Sequence, residues 1–420
     1  MAWCHAHRVP VVPQGGLTGL AGGAVPVAGG IALSLSRMNA IEPVDVSGAT
    51  LTAEAGATLE AVQAVALAAG LVFGVDLGAR GSCQIGGNLA TNAGGNGVVQ
   101  HGMMREQTLG LEVVMADGTV LPMLRPMLKN NTGYDLKHWF IGSEGTLGII
   151  TRAVLALRPA PRARLTVLLG VDGFAQAVEV LRQLQAAFPG TLAAFELMWA
   201  DFFALSLGWS GMASPFGLAH PFVALVEVTG DDEAGLTERA ESVLAAAMQD
   251  NVVRDAVLAH STSQARSLWR IREATAEFPT RMVPINFDIS LPLAHMDEFA
   301  NACVAALTRR WPGHRTVRFG HLGDGNLHLT TDARSLPGLT VEAATHAVET
   351  LVYGLVAERG GSVSAEHGIG LHKKPYLGIS RSPAEMAAMR AIKQALDPLN
   401  LLNPGKVFDI DGTPSSERPT

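Results

Sequence analysis

The spacing of apolar residues along the chain predicts two successive α+β regions. In the first, short apolar strands alternate with glycine turns around one helix at 59–69, whose apolar residues recur at helical spacing behind the capping residue Thr58. Beyond a proline-punctuated segment at 158–162, strands alternate with amphipathic helices, which is typical of an antiparallel sheet with helices packed on it. We therefore expect a two-domain α+β protein with a hinge at 158–162. The predicted strands lie at 9–13, 30–35, 50–54, 109–116, 120–123, 167–171, 222–228 and 285–289, and the other helices at 174–188, 233–248, 264–277 and 295–311.

Composition narrows the possible function classes. The 420 residues carry a net charge of -7, and the 31 Lys and Arg residues are scattered, so no nucleic-acid partner is expected. The three cysteines lie far apart, which is typical of a reduced intracellular protein. The longest apolar segment, 61–75, is interrupted by Gln63 and Gly70 and is too short to span a bilayer. These features predict a soluble, cytoplasmic protein.

The chain start has the pattern of a helix end that runs directly into the first strand. Residues 1–8 would form the last turn of that helix, and the strand at 9–13 follows without a linker. This arrangement suggests an upstream βα unit that the sequence does not contain. A start codon placed too late is favoured over a domain that lacks its first unit.

The stretch 76–97 is the part of the chain richest in glycine, with seven glycines and three asparagines. So many glycines cannot form an ordinary helix or strand, but they allow backbone N–H groups to lie against a flat polar ligand. A large phosphorylated cofactor is such a ligand. The alternative is a disordered linker, and the apolar residues Ile85, Leu89, Val98 and Val99 argue against it.

Two more loops combine glycine with a hydroxyl residue. The turn at 13–20 (PQGGLTGL) suits a pyrophosphate, although an ordinary β-turn is the alternative, and the second loop, 142–150 (GSEGTLGII), runs into a strand. The first is not the dinucleotide fingerprint G-x-G-x-x-G, because no helix followed by an acidic residue accompanies it. The two loops are further candidates for contact with the cofactor.

The second half of the chain carries a candidate metal site. His321 and His328 flank a Gly-Asp-Gly-Asn turn, and Glu366 would complete a two-histidine, one-carboxylate set for a divalent metal. A hydrogen-bonded network without metal is the rival interpretation. His367 is a candidate general base near pH 7, and Arg272 or Arg270 could hold a substrate carboxylate, unless they belong to a solvated helix face.

Six motifs resemble those of the FAD-linked oxidases of the vanillyl-alcohol oxidase superfamily, in particular the D-2-hydroxyacid dehydrogenases. They are PQGGLTGL, DLGARGSCQIGGNLATNAGG, GSEGTLGIIT, GHLGDGNLHL, SAEHGIG and LNPGK, and the resemblance spans 5–410. It implies an FAD-binding domain of the PCMH type at 1–158, without its first βα unit, and a ferredoxin-like α+β substrate and metal-binding cap at 163–385. A C-terminal segment at 386–410 would return to the flavin, and 411–420 would be a loose tail.

The resemblance also implies the residues that bind each group. A non-covalent FAD would contact Pro13, Gln14, Gly15, Gly16, Leu17, Thr18, Gly19, Asp76, Gly81, Ser82, Ile85, Gly86, Asn88, Thr91, Asn92, Gly94, Gly95, Glu144, Gly145, Ile149 and Asn403. A zinc or manganese ion would be bound by His321, His328 and Glu366. His367 would be the catalytic base and Arg272 would bind the substrate carboxylate.

The implied activity is FAD-dependent oxidation of a small D-2-hydroxy acid to the 2-oxo acid, with hydride transfer to flavin N5. D-lactate-like or glycolate-like acids are the first candidates and D-2-hydroxyglutarate is another. An electron-transfer flavoprotein or a quinone would reoxidise the flavin, and a homodimer is a candidate assembly. A non-catalytic FAD-binding subunit of a larger oxidase complex is the alternative, against which the intact His and Glu cluster speaks. A metal-dependent hydrolase without flavin conflicts with the glycine-rich half.

The chain departs from this family at one position that bears on the substrate. Relatives that oxidise dicarboxylates tend to carry a lysine shortly before the D-x-S-x-P strand, where this chain has Asn286. A missing cation weakens the expectation of a second substrate carboxylate, so we expect D-2-hydroxyglutarate to fit less well than a monocarboxylate.

Overall fold

The protein, described by a computed structural model over residues 1–410, contains two compact units. Unit 1 comprises Met1–Gly95, His101–Ala160 and 366–410, and unit 2 comprises Asn96–Gln100 and Pro161–Ala365. Within the described residues, no helix combines the length and apolarity that crossing a membrane requires.

The division into units differs from the predicted domains in two places. The crossing after Ala160 falls inside the predicted hinge, but the chain rejoins unit 1 at Glu366 rather than at 386. The short excursion 96–100 was not predicted at all. It is held within unit 2 because the Gln100 amide donates to the Gly190 carbonyl (3.1 Å) and the Thr229 hydroxyl (3.0 Å). The predicted tail at 411–420 lies outside the described residues.

The regular elements are numbered in chain order. The strands are β1 (Val11–Gln14), β2 (Ile31–Ser34), β3 (Thr50–Glu54), β4 (Leu71–Val72), β5 (Thr108–Val114), β6 (Val120–Met123), β7 (Ile149–Ala156), β8 (Arg158–Pro159), β9 (Ala163–Val171), β10 (Leu192–Trp199), β11 (Phe222–Gly230), β12 (Asp255–Leu258), β13 (Pro284–Ser290), β14 (Thr316–His321) and β15 (Asn326–Asp332). The α-helices are α1 (Ala2–His7), α2 (Leu59–Ala68), α3 (Ile85–Ala90), α4 (Val98–His101), α5 (Lys137–Phe140), α6 (Phe174–Ala187), α7 (Ala200–Ser210), α8 (Glu233–Gln249), α9 (Thr262–Arg272), α10 (Phe278–Arg281), α11 (Leu293–Arg310), α12 (Val341–Glu358), α13 (Leu377–Ser380) and α14 (Pro383–Leu396).

Unit 1 is built on an antiparallel sheet in the order β3-β7-β5-β6. The parallel pair β1-β2 and the antiparallel pair β4-β8 form two separate small sheets. The predicted cap of α2 is confirmed, since the Thr58 hydroxyl accepts a hydrogen bond from the Ala61 amide. The predicted β5-β6 hairpin is also confirmed and turns at Gly118, where φ is 94°. Apolar residues of the sheet and of α2 and α3 form one core, which includes Leu51, Val62 and Leu89.

The C-terminal part of unit 1 is anchored by a buried ion pair. Helix α14 starts with a capping box between Ser382 and Glu385. Near its end, the Lys393 ammonium pairs with Asp397 and donates to the carbonyls of Thr146 and Leu402, both at 2.8 Å. Because a buried charge is tolerated only with such partners, the ammonium fixes the last described residues of the chain within this unit.

Unit 2 is built on a seven-stranded sheet in the order β12-β9-β11-β10-β14-β15-β13, in which every neighbouring pair is antiparallel. All eight residues of β10 are buried, as are most of those in β9 and β11, so both faces of the sheet centre are covered. Residues from β10 and β14 share an apolar core with α7 and α9, through Met198, Phe319, Phe202 and Ile271.

Strand β10 is absent from the sequence-based predictions. Its sequence LAAFELMW is almost uniformly apolar, so it shows neither the alternation of a half-buried strand nor the period of a helix. Strands β12, β14 and β15 were likewise not predicted. The predicted α+β architecture, with an antiparallel sheet after the hinge, is confirmed.

Candidate functional site

A cleft of about 450 Å³ lies within unit 1 and collects most of the residues predicted to bind FAD. Its volume falls in the range of about 300–1,000 Å³ that is usual for ligand and cofactor sites. The predicted residues that line it are Pro13, Gln14, Gly15, Gly16, Leu17, Thr18, Gly19, Gly86, Asn88, Thr91, Glu144, Gly145, Ile149 and Asn403. The loop after β1, the start of α3 and the loop before β7 therefore meet around one cavity.

The wall of the cleft requires glycine at several points. A Cβ on Gly16 would clash with the carbonyl oxygen of Ser82, and a Cβ on Gly86 would lie 2.7 Å from that of Ala55. Gly145 has φ of 71°, and a Cβ there would lie 2.6 Å from the Pro13 ring. These close approaches bring the backbone itself to the cavity surface, as expected where N–H groups contact a ligand.

Two buried amide oxygens at the cleft wall have no hydrogen-bond partner among residues 1–410, namely Gln84 Oε1 and Asn403 Oδ1. Asn403 is firmly placed, since its Nδ2 donates to the carbonyls of Gly23 (2.9 Å) and Glu144 (2.7 Å). Both oxygens can accept a hydrogen bond from a ligand. The flavin ring, its hydroxylated side chain and the adenine amino group of FAD all carry donors. The residues present therefore fit an FAD.

Seven of the residues predicted to bind FAD do not line the cleft: Asp76, Gly81, Ser82, Ile85, Asn92, Gly94 and Gly95. The structure gives several of them other contacts. Ile85 is fully buried in the core, Asp76 pairs with Arg80, and the Asn92 side chain accepts from the Arg105 amide (2.9 Å). The sequence analysis also missed cleft residues, among them Ala21, Gly22, Gly23, Leu35, Gln84, Gly87 and Gly148.

The catalytic base predicted from the sequence, His367, also lines this cleft. Its neighbour Glu366 accepts a hydrogen bond from the Gly95 amide (3.3 Å) within the same unit. The loop that follows is fixed by Glu144, whose carboxylate accepts from the amides of Ile369 (2.7 Å) and Gly370 (2.8 Å). Unit 1 thus brings an imidazole to the wall of its candidate cofactor cleft.

Glu144 is a buried carboxyl group in this part of unit 1. Burial raises the pKa of Glu144, while the amide hydrogen bonds from Ile369 and Gly370 and the charge of Lys373 oppose the rise. Its own backbone has φ of 54°, a conformation that is uncommon for a residue with a side chain. This geometry directs the carboxylate at the two amides that follow His367 and Gly368.

Within unit 2, a cluster of buried polar side chains lies on one face of the sheet. His321 and His328 are brought together, with ring centroids 5.3 Å apart and ring nitrogens within 4.8 Å of each other. His321 Nδ1 donates to Glu196 Oε1 (2.6 Å), and Arg272 Nε donates to Glu196 Oε2 (2.7 Å). The sequence analysis did not identify Glu196.

A second carboxylate, that of Asp288, is fully buried on the same face. Its Oδ1 lies 4.0 Å from His328 Nδ1 and accepts from the Asn326 amide at 2.8 Å. Its Oδ2 accepts from the Ala365 amide at 3.2 Å. Asn326 Oδ1 is buried and has no partner within the described part of the chain, so an acceptor is left over beside the two histidines.

Opposed effects set the charge state of Glu196. Burial alone would raise the pKa of this carboxyl, but the adjacent His321 and Arg272 hold it below its usual range. The carboxylate is therefore ionised at neutral pH and neutralises the buried guanidinium. Two imidazoles whose ring nitrogens lie within 4.8 Å of each other, on a frame of fixed charges, have the ligand type that a borderline divalent cation such as zinc prefers.

The two arginines proposed to bind a substrate carboxylate differ in their surroundings. Arg270 is exposed on α9, as in the solvated-face interpretation, whereas Arg272 is 7% exposed and packs over the Phe319 ring at 4.7 Å. Asn286 is exposed on β13, two residues before Asp288, and accepts from the Thr330 hydroxyl at 2.9 Å. A neutral amide therefore occupies the position where the sequence analysis noted a missing lysine.

Comparison with known proteins identifies the class. The model of the FAD binding domain matches residues 1–123, and that of the FAD linked oxidases, C-terminal domain, matches 160–407. The second match alone covers more than half of the chain. The chain therefore belongs to the FAD-linked oxidase family of flavin-dependent oxidoreductases, as the sequence motifs implied.

The relatives within that family are more specific. The chain is 42% identical to a D-2-hydroxyglutarate dehydrogenase of Xanthomonas citri pv. viticola, over 99% of this chain and 87% of that protein. It is 40% identical to the mitochondrial D-2-hydroxyglutarate dehydrogenase of Bos taurus, over 97% of this chain and 74% of that protein. A putative mitochondrial D-lactate dehydrogenase of Schizosaccharomyces pombe is 35% identical, over 97% and 78%.

Solved structures support the fold. p-Cresol methylhydroxylase aligns with a TM-score of 0.75 at 16% identity, over 98% of this chain and 86% of that one. Alkyldihydroxyacetonephosphate synthase aligns with a TM-score of 0.70 at 19% identity, over 96% and 73%. The predicted PCMH-type FAD-binding fold is thereby confirmed.

Proposed function

We propose that this chain oxidises a D-2-hydroxy acid to the corresponding 2-oxo acid. The observation that carries the proposal is the position of His367 in the wall of the cleft that the FAD-binding residues of unit 1 line. A base at that wall can take the proton of a substrate hydroxyl beside the cofactor. When bound, FAD supplies the acceptor for the hydride that leaves C2 of the substrate.

Arg272 and His367 have separate roles in this reaction. Arg272 binds the substrate carboxylate through its terminal nitrogens, because its Nε is already bound to Glu196. His367 removes the hydroxyl proton, so that the substrate loses one proton and one hydride and becomes the 2-oxo acid.

A divalent metal, zinc or manganese, belongs to the proposal, with His321, His328 and Glu366 as its ligands. Three observations support it: the paired imidazoles, the leftover acceptor of Asn326, and the course of the chain. Ala365 donates its amide to Asp288 beside His328, and Glu366 is the next residue. When bound, the ion would polarise the substrate hydroxyl and lower its pKa.

Two observations bear on the tail of the substrate, which is the part of the 2-hydroxy acid beyond C2, and they favour different acids. The similarity to D-2-hydroxyglutarate dehydrogenases favours D-2-hydroxyglutarate, which carries a second carboxylate. The neutral Asn286–Thr330 pair on the same sheet face as His328 favours an uncharged tail, as in D-lactate or glycolate. An electron-transfer flavoprotein or a quinone as acceptor, a homodimer and a cytoplasmic location remain parts of the proposal that the sequence suggests.

A visible spectrum of the purified protein without oxygen tests the reaction. Flavin absorbance should bleach on addition of D-lactate, glycolate or D-2-hydroxyglutarate, and the acid that bleaches it at the lowest concentration identifies the tail. The L-enantiomers of the two chiral acids are matched controls and should leave the spectrum unchanged. A yellow protein that none of the acids bleaches would contradict the proposal and favour the non-catalytic FAD-binding subunit.

A further inference from the structure

Glu196 is a charged residue in the middle of an otherwise apolar strand. It lies in β10, is 1% exposed, and uses both carboxylate oxygens, Oε1 for His321 Nδ1 and Oε2 for Arg272 Nε. A buried carboxylate is costly unless its oxygens are hydrogen-bonded, and this one binds two cationic or imidazole partners from different elements. Such an arrangement suggests a role beyond stability.

Sheet register and one helix end deliver the three groups to one point. Glu196 on β10 is paired directly with His321 on β14 in the antiparallel ladder. Arg272 comes from the last turn of α9, and its guanidinium carbon lies over the Phe319 ring, 4.7 Å from the centroid. The sheet register therefore sets the position of His321 relative to Glu196, and Arg272 is held between Glu196 and the Phe319 ring.

The two hydrogen bonds determine which atoms remain for ligands. Because a carboxylate only accepts, His321 carries a proton on Nδ1, so that in the neutral imidazole the lone pair lies on Nε2. In the same way, Arg272 uses Nε for its hydrogen bond to Glu196, so this bond does not need the two terminal nitrogens. One carboxylate thus orients a candidate metal ligand and a candidate substrate anchor at once.

We propose that Glu196 is a positioning residue that fixes the metal-binding tautomer of His321 and the orientation of Arg272. The inference rests on the proposed function, and it makes metal affinity and substrate affinity depend on one side chain. Carboxylates that hold a metal-ligating histidine commonly change metal affinity by about 10–100-fold when they are replaced.

Unit 2 offers a matched control in Glu227. This residue lies on the neighbouring strand β11 and is 6% exposed. It pairs with Arg164 and accepts from the Trp269 indole at 3.0 Å. It is thus a buried carboxylate with an arginine partner in the same sheet, but no contact with a histidine is found among the described residues.

The test is calorimetric titration of metal-stripped protein with Zn²⁺ and with Mn²⁺, using wild type, Glu196→Gln and Glu227→Gln. We expect one site in the wild type, about 10–100-fold weaker in Glu196→Gln and within about twofold of wild type in Glu227→Gln. His321→Ala defines complete loss of the site. Flavin bleaching under the same conditions should show a raised KM for the 2-hydroxy acid in Glu196→Gln.

Thermal unfolding shows first whether the variants fold. If Glu196→Gln does not fold, Glu196→Asp replaces it in the titration. Aspartate keeps the charge but is one methylene too short to reach both partners, so this variant should also bind the ion more weakly than wild type. Wild-type affinity in whichever Glu196 variant folds would overturn the positioning role while leaving the proposed function intact. A wild type that binds neither ion would overturn the metal part of the proposed function and this inference with it.

Discussion

The cleft of unit 1 and the polar cluster of unit 2 are built from opposite materials. The cleft depends on the backbone, with glycines where a Cβ would clash and small residues between them. The cluster depends on buried charged side chains: Glu196 and Arg272 neutralise each other, and Asp288 accepts a hydrogen bond from the Asn326 side chain. A region that binds through its backbone is sensitive to added volume, whereas a region that binds through charge is sensitive to the loss of one partner.

The strongest test of this comparison is His367→Ala, which removes the base from the cleft wall without altering the backbone. We expect turnover to fall by about 10²–10⁴-fold, because that is the usual contribution of a general base. Bound FAD, measured from its visible absorbance per protein, should stay at the wild-type level. His346→Ala, on an exposed position of α12, is the control. Turnover retained in His367→Ala would show that His367 is not the base.

Removal of the metal should affect the side-chain cluster alone. After dialysis against a chelator, we expect turnover to fall on the order of 10²-fold, since polarisation of the hydroxyl is worth several kcal/mol. FAD absorbance should not change. Zn²⁺ or Mn²⁺ should restore turnover, whereas Mg²⁺, which prefers oxygen ligands, should not. Full activity in protein shown to be free of metal would contradict the proposed metal site.

The sequence revealed these two regions to different degrees. Glycine runs such as 76–97 are continuous in the chain, so the cleft was largely predictable, as were the paired histidines around one turn. Glu196 was not, because its partners are distant in sequence: the β10-β14 register brings His321 beside it, and the end of α9 brings Arg272. The one available signal was a lone glutamate within an apolar run, since such a residue needs buried partners.

The structure also shows why some glycine-rich positions fall outside the cleft. Gly95 has φ of 76°, and a Cβ there would clash with the Asp76 carbonyl, so glycine is needed for a turn and not for the cavity wall. A glycine motif therefore identifies the region that contacts a cofactor, but backbone geometry decides which of its residues do so.

Gly16→Ala tests the backbone half of the comparison. The new Cβ would clash with the Ser82 carbonyl, so the loop at the cleft must shift, and we expect FAD to bind about 10–100-fold more weakly. Fluorescence titration of the FAD-free protein measures this change. Gly78→Ala is the control, in the glycine-rich stretch 76–97, since nothing lies within 4 Å of its Cβ position. Equal FAD affinity in both variants would contradict the role assigned to the backbone.

Asn286→Lys is expected to have the smallest effect. It tests whether an added charge near the polar cluster of unit 2 changes the preferred substrate. An ammonium on the face that carries His328 should favour a second substrate carboxylate, shifting the kcat/KM ratio of D-2-hydroxyglutarate to D-lactate by about tenfold. Gln249→Lys, exposed at the end of α8, adds the same charge elsewhere. The same ratio in both variants would show that this position does not determine the tail specificity.

The return of residues 366–410 to unit 1 has a consequence for how the protein is made. Asn403 lines the cleft and Lys393 anchors the segment that carries it, yet both are among the last described residues to be synthesised. Unit 1 cannot close its cofactor cleft while the ribosome is still translating unit 2, although domains often fold in order from the N-terminus. The cleft that would hold FAD is therefore complete only after unit 2 has been translated.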